Sequence, residues 1–179
     1  MRLAALSFLF LLCLSPASQK SEKVAVPLHY ATGKLCSEKD VNFSGRYRYK
    51  ERIPYCNRHL PQSEKKEVAG YSSIPQISWG LYEFDHLIPL SAGGSNDFRN
   101  IWMEPIGQAH IKDRIEFEIC QGLENGALTE KKAIKKLDNW FCDPCHDLTG
   151  KNICTKEQII GLNHSECKAF KSRMMQIAK

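Results

Sequence analysis

Beyond residue 14 the sequence has no apolar run long enough to cross a bilayer, which excludes a protein held in the membrane by later helices. It has no internal repeat and no low-complexity tract, so solenoids and compositionally disordered chains are excluded too. Charge of one sign is also lacking in strength: 25 Lys and Arg against 20 Asp and Glu leave a formal +5. That mild excess favours a polyanionic partner without requiring one. Eight cysteines are present, yet the second close pair that a zinc ribbon needs is missing. What remains is a chain of 179 residues, suited to one domain with a core of its own.

The first residues read as a targeting segment. Met1-Arg2 is a short positive start, Leu3 to Leu14 is apolar apart from Ser7, and Ser15-Pro16-Ala17 supplies small residues for cleavage after Ala17. The run is shorter than the ~20 residues of a spanning helix. Leu12 stands where a lipoprotein signal at Cys13 wants a small residue. Residues 1–17 are therefore expected to be a cleaved signal peptide and the mature protein to be exported, periplasmic or secreted, with no membrane association after cleavage. Cleavage removes Cys13 and leaves seven cysteines, which in an oxidising compartment predicts up to three disulfides and one thiol.

Residues 18–44 form a polar N-terminal segment, expected to be poorly ordered to about residue 35. Alternation over Arg46-Tyr47-Arg48-Tyr49-Lys50 predicts a strand with cations on one face and tyrosines on the other. Arg46 and Arg48 are candidates to track phosphates; an edge strand with solvated cations is the plainer reading. Ser63 is placed to cap a short helix through Ala69, and residues 72–78 read as loop. Leu81, Phe84, Leu87 and Ile88 mark a strand that Pro89 closes. A helix is expected from about Gly107 to Gly122, with Ile111, Ile115 and Ile119 as its buried stripe, Gly122 as its stop, and His110, Asp113, Arg114 and Phe117 on an adjoining face. Another runs from Thr129 to Phe141. The Cys-rich extension, 142–179, carries a capping box at Thr155 and Gln158 and a further helical start near Ser165.

The chemistry concentrates between Glu83 and Arg114. Asp85 and His86 end one apolar run, a Gly93-Gly94 turn follows, Asn100 opens a second run, and His110 opens the helix. Hydrolysis of a phosphodiester needs an activated water, a Lewis acid and cationic relief of charge. His86 can take a proton near neutral pH, since imidazole titrates at about 6.5. Asp85 and His110 can hold a hard divalent cation, Asn100 can orient the base or bind the metal, and Lys112 and Arg114 can meet the phosphate. Neighbouring residues on a regular strand point to opposite faces, so Asp85 and His86 converge only where the strand ends or twists.

This ordered set resembles the HNH motif of the ββα-metal endonucleases. The likeness extends over about residues 45–141, through Ile53-Pro54-Tyr55-Cys56-Asn57-Arg58, Asp85-His86-Leu87-Ile88-Pro89-Leu90, Gly93-Gly94-Ser95-Asn96, Asn100-Ile101-Trp102 and Ala109-His110-Ile111-Lys112-Asp113-Arg114-Ile115-Glu116, and it points to a group of exported bacterial HNH nucleases. It implies an α+β fold with a ββα-metal core, flanking helices and a Cys-rich C-terminal extension. It implies His86 as general base, Asp85 and His110 as ligands of one divalent ion (Mg2+ first, Mn2+ as the substitute), Asn100 as site residue, and nucleic acid, DNA with RNA left open, as substrate. The Cys pairs that bind a structural zinc in many HNH proteins are absent, and Cys56 and Cys120 are expected to form a disulfide instead. Two readings compete: a nucleic-acid-binding module without turnover, and a c-type haem protein built on Cys142-x-x-Cys145-His146.

Overall fold

The computed structural model describes residues 30–142, 167–169, 171, 172 and 174. The expected signal peptide, residues 18–29, Cys145-His146, the expected Thr155 capping box and the expected Ser165 helical start lie outside these residues.

The fold is α+β. Within residues 30–142, two antiparallel strand pairs are joined through three α-helices and short 3-10 turns. Strands β1 (Phe43–Arg48) and β2 (Ile53–Cys56) form one pair; β3 (Tyr82–His86) and β4 (Ile101–Pro105) form the other. Helix α1 spans Gln62–Ser72, α2 Ile106–Glu124 and α3 Glu130–Cys142.

Register decides what each face of the β3–β4 pair carries. Asp85 stands opposite Trp102 and Glu83 opposite Glu104, while Phe84 faces Met103 and His86 faces Ile101. Side chains alternate along a strand, so Asp85, Trp102 and Glu104 share one face and Phe84, His86, Ile101 and Met103 the other. Helices α2 and α3 cover the first face: Lys112 of α2 reaches Asp85, and Phe141 of α3 meets Trp102 edge to face at 5.8 Å. The core gathers Leu87, Ile88, Ile101, Trp102, Met103, Ile115, Ile119, Ile134 and Leu137, with Val68 and Ala69 from α1. Met174, near the C-terminus, is buried in that same core.

Several expectations are corrected here. The segment 30–36 is tied down rather than loose. Gly33 donates to Arg99 O, Ser95 to Lys34 O and Cys36 to Gly93 O, each within 2.9 Å, and Ala31 is fully buried. The segment binds as an isolated extended stretch with no periodicity to reveal it. Ser63 does not cap α1, which starts after Pro61 without a side-chain cap, and residues 76–81 form a 3-10 turn. Gly122 does not stop α2: a Cβ there would come within 2.6 Å of the Leu128 side chain, so the glycine serves close packing. The left-handed residue after the helix is Gly126, at φ 77°. The expected alternation over 46–50 holds only to Arg48, where β1 ends and Tyr49 turns away at φ 61°; a bulge lies before it, between Phe43 and Arg46. The guanidinium of Arg48 lies 5.0 Å from the Tyr55 ring centre and that of Arg52 4.4 Å from Tyr47.

Cysteine pairing differs as well. Cys56 bonds Cys36, and Cys142 bonds Cys167. Cys120 keeps a free thiol, 3.5 Å from the Tyr49 hydroxyl. Residues 30–36 bring Cys36 beside β2, whereas Cys120 sits near the far end of α2. With Cys142 in a disulfide, the two-cysteine attachment a c-type haem requires is not met.

Candidate functional site

His86 ends β3 and is buried, with 3% of its surface exposed. Its Nε2 lies 3.1 Å from Asn96 Oδ1. The orientation of that amide is set by its other partners: Oδ1 accepts the His59 backbone N–H at 3.1 Å and Nδ2 donates to Asn57 O at 2.8 Å. Since Oδ1 can only accept, His86 Nε2 carries the proton and Nδ1 carries the lone pair. Burial pulls the imidazole pKa down to about 4, against the opposing pull of the Asn96 bond. His86 is thus a neutral base of defined tautomer at physiological pH.

Asn100 plays a different part. Its side chain is fully buried; Oδ1 accepts from Ile88 N at 2.9 Å and Nδ2 donates to Ile88 O at 3.0 Å and Ser95 O at 2.9 Å. The amide staples the 88–95 loop back onto the end of β3. Gly94 makes this possible, because a Cβ there would fall 1.8 Å from Ile88 O and 2.8 Å from Asn100 Nδ2. Asn100 positions His86 through the backbone; Asn96 is the amide that touches the imidazole.

Asp85, on the opposite face, belongs to a buried charge cluster. The Lys112 ammonium hydrogen-bonds Asp85 and Glu116 and lies 3.4 Å from Glu104 Oε2. Lys112 is 1% exposed and Glu104 not at all. Burial raises the Glu104 carboxyl well above its usual range, against the pull of the Lys112 ammonium. Burial disfavours charge on Lys112 and Asp85 as well, but the carboxylates hold the Lys112 pKa up and Lys112 holds the Asp85 pKa down. Arg58 Nη2 completes the surroundings, 3.9 Å from Asp85 Oδ1 with its side chain 64% exposed.

The structure brings Asp85, Lys112 and the region of His86 together, but not His110. Two steps along an α-helix turn a side chain by about 200°. With Lys112 facing Asp85, exposed His110 faces away from it. Among the described residues, the group of three potential ligands within 4.8 Å of one another is Cys36, Asp40 and Cys56, and its sulfurs are joined in a disulfide. Asp85 and His110 therefore do not fit as the two ligands of one ion: an ammonium already occupies the carboxylate. Lys112 is corrected too, since an ammonium surrounded by carboxylates and closed from solvent is no surface contact for phosphate. Arg114 and Arg46 are exposed; Arg48 packs on Tyr49 and Tyr55.

Sequence reasoning gave no role to Asn96, Arg58, Glu104 or Glu116. Asn96 stood in the Gly-Gly-Ser-Asn stretch and Arg58 in Cys-Asn-Arg, and Glu116 at four residues from Lys112 is an ion-pair spacing. Glu104 carried no local signal. Among the described residues, no helix is long and apolar enough to cross a membrane. Comparison with family models, curated proteins and solved structures finds no match.

Proposed function

We propose that this chain is an exported nuclease that hydrolyses phosphodiester bonds of nucleic acid, with His86 as the general base. The observation that carries the reading is His86 itself: buried, neutral, and locked by Asn96 with Nδ1 as the proton acceptor. A base must present its lone pair without rearrangement, and tautomer locking by a fixed acceptor supplies that. Arg58, whose charge acts on both Asp85 and His86, is placed to relieve charge developing on a phosphoryl group. The order β3, loop, β4, α2 supports a ββα-metal type of core, and two disulfides are what an oxidising compartment permits.

The resemblance implies an Mg2+ or Mn2+ ion on Asp85 and His110. Because those two residues do not converge here, the ion is assigned no step. The engagement of Asp85 by Lys112 favours a second reading, a nucleic-acid-binding module without turnover.

Digestion of plasmid DNA and total RNA by the mature protein, with Mg2+, with Mn2+ and with EDTA, separates these readings. Cleavage by the parent and its loss in His86→Ala, by about 10²-fold or more, is the expected result. Cleavage by His86→Ala at the parent rate would remove His86 from the mechanism, and absence of cleavage under every condition leaves the binding module. Cleavage abolished by EDTA and restored by Mg2+ would show that a divalent ion takes part in the reaction.

A further inference from the structure

A groove runs along the outer edge of β3, which pairs with β4 on its other side and with no other strand among the described residues. It encloses about 470 Å³ and is lined by Arg58, Leu60, Lys65, Tyr82, Glu83 and Phe84. Tyr82 and Phe84 are two apart on β3 and so present their rings on one face; Glu83 alternates to the face of Asp85 and Glu104. The Lys65 ammonium lies 5.7 Å from the centre of the Phe84 ring, and Trp79 braces that ring edge-on at 5.0 Å. Arg58 closes the end nearest the reaction centre, its guanidinium 3.9 Å from Asp85.

Two cations flanking two aromatic rings on a rigid strand are the elements of a single-strand platform, in which rings stack bases and cations track the backbone. The volume suits one nucleotide. A duplex would not fit the arrangement, because paired bases keep their faces inside the stack. The ring bracing by Trp79 means that stacking would cost Phe84 little added ordering.

We infer that this groove seats one unstacked nucleotide of a single-stranded nucleic acid, its base against Phe84 and Tyr82 and its phosphate between Arg58 and Lys65. The strand leaving the groove past Arg58 then delivers its next phosphate toward His86. Only that last point rests on the nuclease reading; the groove binds whether or not the chain cuts. The groove also accounts for the exposure of Arg58, whose outer half is free for a phosphate while its inner half balances Asp85.

The test is fluorescence anisotropy in EDTA, with a fluorescein-labelled oligothymidylate and a matched duplex. It uses the full mature chain carrying His86→Ala, so that the probe survives. Arg58→Ala and Lys65→Ala are each expected to weaken single-strand binding about tenfold and to reduce the slope of log affinity against log salt by roughly 0.7. Phe84→Leu keeps apolar bulk but loses the stacking face, and should weaken binding about fivefold or more with the salt slope unchanged. Duplex binding should change little in Phe84→Leu. Parent-like binding across the series, or equal losses on single strand and duplex, overturns the inference. If Phe84→Leu fails to fold, the two cation variants decide it. A parent that cuts, with a series that binds unchanged, loses the groove and keeps the nuclease. A parent that cuts nothing, with single-strand binding that follows the series, keeps the groove and loses catalysis.

Discussion

At the scale of single residues, His86 shows how an environment selects chemistry that residue type alone leaves open. Burial lowers its pKa to about 4, while a free imidazole titrates near 6.5. If it is the base, the acid limb of kcat/KM should fall near pH 4 rather than near 6.5; a rate profile on a fluorogenic oligonucleotide measures this, and a limb at 6.5 would point to a solvated histidine instead. The same shift bears on stability with a definite sign. The folded pKa is depressed, so the unfolded chain binds more protons between these values, and the contribution is present above pH 6.5 and lost as pH falls toward 4. The reason Asn96 rather than Asn100 holds the ring lies in the loop: Asn100 spends its hydrogen-bonding capacity on Ile88 and Ser95.

At the scale of elements, the contact between the β3–β4 pair and α2 is an electrostatic one set within apolar packing. Lys112 is the central charge, and removing it takes from Asp85 and Glu116 the buried cation that both hydrogen-bond. Lys112→Met should therefore destabilise the fold by about 3 kcal/mol or more, read as a lower urea midpoint. Glu104 is a carboxyl whose pKa burial raises well above its usual range. The sign of its pH dependence is opposite to that of His86. Its folded pKa is raised, so its contribution is full below the unfolded value of about 4.5 and is lost as pH rises through the folded one. Glu104→Gln should gain on the parent as pH rises above that unfolded value, read as a growing difference in urea midpoint. A Lys112→Met protein as stable as the parent would show that the cluster is not holding α2 against the strands.

At the scale of the whole molecule, the Cys36–Cys56 bond ties the N-terminal segment to the first strand pair across a sequence separation of 20. Opening it with Cys36→Ala and Cys56→Ala together should cost about 3 kcal/mol, while Cys120→Ser should stay within about 0.5 kcal/mol of the parent. Peptide mapping without reduction checks the pairing directly, and a Cys56–Cys120 linked peptide would reverse both expectations. The β3–β4 pair, the long α2 and the amphipathic α3 were legible because apolar spacing and turn residues are local signals; β2 was not, since Ile53-Pro54-Tyr55-Cys56 reads from its proline and its shortness as a turn or irregular connection. The clasp of residues 30–36 over the Gly93–Ser95 turn was not, since an extended stretch docking by backbone hydrogen bonds leaves no pattern in its side chains.

The sequence by itself determined the α+β class, the strand–loop–strand–helix order around Asp85 and His86, and an abundance of cysteine suited to disulfides. These follow from periodicity, turn chemistry and composition, which act over a few neighbouring residues. The tertiary structure alone decided which atoms meet: Asn96 with His86, Lys112 with Asp85, and Cys36 with Cys56. Such meetings depend on strand register and helix rotation, where a shift of one residue turns a side chain to the opposite face of a strand or through about 100° around a helix.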